Sequence, residues 1–201
     1  MNFLLRKLFK KISPESECEF LVRRAATSGY MVFRNEQFRK MIDFETQSQE
    51  EQDRIFNELT VTAIVYLMRM VEDSFDRVKP ERQHFWRDLK KMTPDVFVTW
   101  LSGVGVPREL THIWKKLIDM RYEEYVKGQQ ETRAAWKKAF AEHPDKDVLT
   151  DHVARLESVT VGSLLHITRG KASTDPGDPL RRHLRTWLST LEYKLAKRIG
   201  W

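Results

Sequence analysis

Apolar residues recur along this chain at three- and four-residue steps, the spacing typical of amphipathic helices, and no hairpin signal interrupts them. The longest such segment begins with Ser48 and Glu51, which fit a capping box, and continues to Val78. Its middle is apolar nearly all round, so other helices should surround it. The pattern predicts an all-α domain of seven or eight helices around a long central helix at residues 49–78, with a break near residues 60–62 as the alternative.

Proline, glycine and capping residues mark the expected helix boundaries. Ser13-Pro14 predicts the start of a helix, because proline is favoured at the first helical position, and Gly29 predicts its end. The next residues form an aromatic-rich segment, locally extended at 30–33. Thr93-Pro94 predicts a boundary between two short helices. Further helices are predicted at residues 107–140, ended by His143-Pro144, at 147–168, and at 179–199 after a turn-rich linker at 169–178.

The amino-acid composition excludes several classes of protein. The chain has 201 residues, 41% of them hydrophobic, including six Trp and eleven Phe, which is enough for a sizeable core and excludes a disordered chain. A single cysteine and no secretory pattern at the N-terminus predict a reducing, cytoplasmic location. The longest nearly apolar stretch is about half of the roughly 20 residues that a bilayer crossing requires, so no transmembrane helix is predicted.

The net charge of +6 is concentrated at the two ends of the chain. Residues 1–12 carry four positive and no negative side chains, and residues 169–201 carry eight positive and three negative ones. The rest of the chain is therefore negative overall. An acidic partner should meet the ends rather than the central helices.

The first twelve residues form a separate amphipathic, cationic unit before the domain at 13–201. Its apolar strip consists of Leu4, Leu5, Leu8, Phe9 and Ile12, and its cationic strip of Arg6, Lys7, Lys10 and Lys11. The pattern resembles an interfacial helix, and each basic residue near an anionic leaflet could add about 1 kcal/mol of attraction. The alternative is that the strip packs on the core of this protein or on a sister subunit.

A second basic cluster surrounds the start of the last helix, and consists of Arg169, Lys171, Arg181, Arg182 and Arg185. Arginines in a first turn oppose the helix dipole, so an anion could explain their placement there. The alternative is that Asp175 and Asp178 neutralise them. Nucleic acid is a weaker expectation, because the later cations of this helix lie on its other side and no single stripe could follow a backbone.

Two Glu-x-x-His pairs, Glu81/His84 and Glu109/His112, match the motif of di-iron bundles. At about 100° per residue, however, both pairs point away from the apolar faces of their helices. In the second helix that face is defined by Leu110, Ile113, Trp114 and Leu117.

Two further side chains carry chemistry. His152 lies on the side of its helix that carries Leu156 and Val159, which predicts either a core histidine or a haem or metal ligand, with His166 on a neighbouring side. Cys18 shares a face with apolar residues and is expected to be an inert, packed thiol.

No nucleophile elbow, zinc helix or phosphate-binding glycine loop is present. The sequence therefore predicts a non-enzymatic helical interaction or assembly protein, in the cytoplasm or at the inner surface of a membrane, whose partner is another protein or a second copy of the chain. A phosphate-ligand or nucleic-acid binder and a haem or metal protein are the alternatives. The residues specify no cofactor.

Overall fold

The computed structural model describes residues 13–75, 78–142, 146–173 and 175–199, and within these ranges it contains seven α-helices and no strand. The predicted all-α fold is thus confirmed. The helices are α1 (Pro14–Phe33), α2 (Glu36–Met41), α3 (Gln49–Asp73), α4 (Pro80–Gly103), α5 (Thr111–Ala139), α6 (Lys146–Thr168) and α7 (Pro179–Ile199). Short 3-10 turns lie at Phe44–Thr46 and Arg108–Leu110. The amphipathic segment at residues 1–12 and the boundary at His143-Pro144 lie outside the described residues.

Helix α3 is the central helix that the sequence predicts. The side chain of Ser48 accepts a hydrogen bond from the backbone N–H of Glu51 at 3.3 Å, as expected for its N-cap. The helix is unbroken at residues 60–62 and ends at Asp73, earlier than predicted. Every residue from Glu58 to Val71 is buried, because α1, α4, α5, α6 and α7 all pack against it.

The directions of α5 and α6 follow from their contacts with α3. Arg121 of α5 meets Glu58, and further along Gln129 meets Arg69, so α5 runs parallel to α3. Helix α6 runs antiparallel to α3, since Ser163 contacts Thr62 whereas the earlier Arg155 contacts Asp73. Between these three helices and α7, buried polar and charged side chains lie beside the hydrophobic core.

Gly29 does not end a helix. Helix α1 passes through it to Phe33, so the expectation of an extended segment at residues 30–33 is also wrong. A Cβ atom on Gly29 would lie 3.0 Å from the carbonyl oxygen of Leu59 and 3.0 Å from the Cα of Thr60. The glycine therefore allows the backbones of α1 and α3 to approach closely, a tertiary role that local pattern does not reveal.

The predicted boundary at Pro94 is wrong as well, because α4 is continuous from Pro80 to Gly103. Leu89, Thr93 and Phe97 follow each other at four-residue steps and are all fully buried. Packing of this face holds the helix together across the proline, whose missing N–H costs one hydrogen bond. The same face receives Cys18, whose sulfur lies 3.6 Å from the hydroxyl oxygen of Thr93; burial raises the pKa of the thiol to about 11, which agrees with an inert thiol.

Replacing Gly29 with alanine tests the close approach of α1 and α3. We expect Gly29→Ala to lower the free energy of unfolding by about 1–3 kcal/mol, because the backbone atoms opposite it can move only with a whole helix. Gly103→Ala is the matched control: nothing lies within 4 Å of the added methyl group, and a stabilisation of about 0.4–1 kcal/mol is expected from the lower entropy of the unfolded chain. Denaturant titration followed by circular dichroism measures both; equal effects would contradict the assignment.

Candidate functional site

An ionic cluster joins three helices inside the bundle. Arg155 of α6 is fully buried, and its guanidinium contacts the carboxylates of Asp73 on α3 and Glu192 on α7. The hydroxyl group of Tyr66 donates to Glu192 at 2.6 Å. Nδ1 of His152 lies 3.2 Å from the other oxygen of Glu192. The buried charges are therefore paired, as they must be away from water.

The cluster changes the proton affinities of its members. Burial opposes ionisation of Glu192, but the hydrogen bond with His152 and the charge of Arg155 outweigh it, and the pKa of Glu192 falls to about 2. Burial, together with the charge of Glu192, raises the pKa of Tyr66 well above its ordinary value. Arg155 stays charged: burial lowers its pKa, but the neighbouring Tyr66, Glu192 and Asp73 raise it further.

His152 is not the core histidine that the sequence suggests. It lies at the rim of the ionic cluster, and 40% of its side chain is exposed. His166, further along α6, places Nε2 at 2.7 Å from the carboxylate of Glu124 on α5. Within the described ranges, no group of three or more His, Cys, Asp or Glu side chains could hold a metal ion. The structure therefore gives each of the two histidines a carboxylate partner on a neighbouring helix.

The two Glu-x-x-His pairs face solvent, as the helical wheel predicts. Glu81 and His84 are exposed on α4, and Nε2 of His84 lies 3.4 Å from a carboxylate oxygen of Asp88. Glu109 and His112 are exposed at the start of α5. None of the four points into the bundle, so the structure does not assemble them into an inward-facing site.

In the structure, the residues of the basic cluster predicted from the sequence lie in two separate places. Arg181 and Arg185 both bind the carboxylate of Glu157 on α6, with nitrogen to oxygen distances of 2.7 and 2.9 Å. Arg169 binds Glu51 on α3 at 2.6 Å. Lys171 and Arg182 are exposed and form no ion pair with any described residue.

The two neighbouring aspartates, which the sequence offers as partners of this cluster, accept hydrogen bonds from the backbone. Asp178 caps α7 by accepting a hydrogen bond from the backbone N–H of Arg181 at 2.9 Å, and Asp175 accepts one from the N–H of Gly177. Glu157 and Glu51, the carboxylates that form ion pairs with Arg181, Arg185 and Arg169, lie on other helices. No local spacing in the sequence could identify them.

The C-terminal end of α6 is fixed by Arg54 of α3. Its guanidinium donates to the carbonyl oxygens of His166 and Ile167, and it also binds Glu51. The hydrogen bond from Arg54, with a second one from Arg169, holds the pKa of Glu51 at about 2. A cation at the C-terminus of a helix also interacts favourably with the helix dipole.

Apolar side chains form a second stripe along the start of α5 and the 3-10 turn before it. We define the α5 face as Leu110 of that turn and Ile113, Leu117 and Met120 of α5. Leu117 is partly buried against the core, whereas the exposed fractions are 43% for Leu110, 52% for Ile113 and 49% for Met120. Three of the eight large apolar residues exposed in the described chain belong to this face. The apolar face expected from the sequence is thus split: Trp114 is buried in the core, but Leu110 and Ile113 face solvent.

The exposure of the α5 face results from the lengths of the helices. His166 lies opposite Glu124, two residues before α6 ends at Thr168. The first three turns of α5 therefore extend beyond the end of α6, which packs only against the later part of α5. In the covered part, a Cβ on Gly128 would contact Ser158 of α6 at 3.4 Å.

Comparisons with known proteins add no assignment. No family model matches the chain, and neither the curated proteins nor the solved structures contain a significant match. None of the helices in the described ranges is long and apolar enough to cross a membrane.

Acid should destabilise the fold through Glu192 and Glu51. Their pKa of about 2 in the folded state lies below the ordinary value of 4.5, so their ionised forms stabilise the protein above pH 4.5 and this contribution is lost as the pH falls towards 2. We expect Glu192→Gln to lower the stability near neutral pH and to flatten the decline below pH 4.5. Glu131→Gln, at an exposed position of α5, is the control. Thermal unfolding at several pH values measures the decline, and an unchanged slope in Glu192→Gln would contradict the pairing.

Proposed function

We propose that this chain is a helical interaction protein whose α5 face binds an amphipathic helix of a different protein. The observation that carries the proposal is the spacing of the apolar residues of this face, three of which are exposed. Leu110, Ile113, Leu117 and Met120 follow each other at steps of three, four and three residues. This is the spacing by which one helix packs along another in a two-helix seam.

The size of the stripe suits a short helix. Ten residues separate Leu110 from Met120, which corresponds to about 15 Å along the axis. An apolar stripe of this length on a soluble surface is typical of a protein interaction site, whereas single exposed apolar residues are ordinary.

Charges beside the stripe argue against a second copy as the occupant. The solvent-side border of the stripe consists of Glu109, Lys116 and Glu123, all exposed. In an antiparallel pair about a two-fold axis, Glu109 would face Glu123 of the second copy and Lys116 would face its own equivalent. Like charges at such positions disfavour pairing. The partner that complements these charges is a helix that carries a basic, an acidic and a basic residue, in this order, beside its apolar stripe.

Two other predictions from the sequence stay separate from this proposal. Contact of residues 1–12 with an anionic membrane or a sister subunit concerns a segment outside the described residues. Binding of nucleic acid receives less support than before, because Arg169, Arg181 and Arg185 already bind carboxylates of this chain.

Designed peptides test the proposal. Two helical peptides of about 15 residues carry leucine at the seam positions and differ only in their borders, one reading Lys-Glu-Lys and the other Glu-Lys-Glu. We expect the first to bind the full chain about tenfold more tightly in fluorescence anisotropy, since three border pairs change from repulsive to attractive. Ile113→Asp should abolish binding, because it places a charge in the apolar seam.

Met31→Asp is the matched control, since Met31 is also an exposed apolar residue but lies on α1. It should leave the affinity unchanged. Equal binding of both peptides, or binding that survives Ile113→Asp, would contradict the proposal. A dimer of the chain alone that Ile113→Asp dissociates would identify a second copy as the occupant instead.

A further inference from the structure

We propose that the outer side of α1 and α7 binds the surface of an anionic lipid bilayer. Nε1 of Trp187 on α7 donates to the hydroxyl oxygen of Ser28 on α1 at 2.9 Å. Further along α7, Arg198 binds Glu17, which precedes Ser28 in the chain. The two helices are therefore antiparallel neighbours, and we define the α1–α7 surface as the side of this pair that faces solvent.

Four cations on the α1–α7 surface form no ion pair with any described residue. They are Arg24 and Arg34 on α1 and Arg182 and Lys194 on α7, and all four are exposed. Each is available to an external anion, unlike Arg198, whose guanidinium binds Glu17. The sequence of α7 holds a single acidic residue, Glu192, and it is buried. Phosphate groups of an anionic leaflet attract several such cations at once.

The exposed carboxylates near these helices do not neutralise the surface. At about 100° per residue, Glu15 and Glu19 lie about 180° and 140° around α1 from Arg24, on the side turned away from α7. Beyond the end of α1, Glu36 lines the same depression as Lys40, and their opposite charges cancel there. The α1–α7 surface is therefore positive overall.

Exposed apolar side chains lie between the cations of the α1–α7 surface. Four of the eight large apolar residues exposed in the described chain belong to it, namely Phe20, Tyr30, Met31 and Tyr193. Cζ of Arg24 lies 5.2 Å from the centre of the Phe20 ring. Cζ of Arg34 lies 5.8 Å from the centre of the Tyr30 ring. Such pairs suit the boundary between headgroups and acyl chains, because the ring can enter the apolar layer while the cation meets a phosphate group.

The apolar groups favour a bilayer over nucleic acid as the occupant. Residues 1–12 directly precede α1, and their sequence carries four basic side chains and a leucine-rich apolar strip. Nucleic acid would bind the cations and stack on the aromatic rings, but it offers no partner for that strip or for Met31. A bilayer can bind all of these groups.

Sedimentation of the full chain with lipid vesicles tests the proposal. We expect binding to phosphatidylcholine vesicles that contain about 30% phosphatidylserine, and much weaker binding to phosphatidylcholine alone or at high salt. Arg24→Gln combined with Lys194→Gln should weaken the binding about twenty-five-fold, because each basic residue near an anionic surface contributes about fivefold.

Lys127→Gln combined with Lys138→Gln is the matched control. It removes the same charge from exposed positions of α5, which packs against α3, α4 and α6. Binding should stay within about twofold, since salt screens distant charges. Arg24→Lys combined with Lys194→Arg keeps the charge and should bind as the unchanged chain does, which guards against an effect on folding.

Met31→Asp should also weaken vesicle binding, whereas Ile113→Asp should not, so the two proposals can fail independently. Equal weakening by the two glutamine pairs would overturn the proposal, since it would indicate general charge attraction. Unchanged binding by the first pair would also overturn it, because residues 1–12 would then bind the bilayer alone. Tighter binding of a single-stranded oligonucleotide, lost in the same variant, would identify nucleic acid as the occupant instead.

Discussion

Burial of α3 on all sides is the constraint from which the rest of the structure follows. The helix carries charged residues along its length, and a buried charge is very costly unless it is paired. Glu58 binds Arg121 of α5, and Asp73 binds Arg155 of α6. Arg54 binds the last carbonyl groups of α6. Each pair fixes one point along α3, and together they set the direction and register of the helices around it.

The position at which α6 ends leaves one surface apolar and exposed. Arg54 binds the last carbonyl groups of α6, and that helix ends at Thr168. The chain turns away at Arg169 and Gly170, both with left-handed backbone angles, of 53° and 74° in φ. A left-handed backbone is energetically unfavourable for a residue other than glycine, such as Arg169. The ion pair between Arg169 and Glu51 offsets this cost in free energy. Helix α5 continues without its neighbour, and its apolar stripe is left uncovered.

Local signals in the sequence predict the starts of helices well and their continuity poorly. The N-caps at Ser13, Ser48 and Asp178 are all as expected, because capping depends on residues three positions apart. Gly29 and Pro94 both lie inside continuous helices because of contacts with residues distant in the sequence. Helix α3 packs against Gly29, and the buried face of α4 stabilises that helix across Pro94. Strong tertiary packing overrides the intrinsic helix propensity of single residues.

The candidate sites show the same division between local and distant information. The sequence singles out His152 and Arg185 for different reasons, as a core histidine or metal ligand and as part of an arginine cluster. Both side chains lie between α6 and α7 because these helices pack together, as the pairing of Glu157 with Arg185 and of Glu192 with His152 shows. Glu192 also binds Arg155, which in turn binds Asp73 of α3. The position of His152 and the register of the bundle therefore depend on the same buried carboxylate.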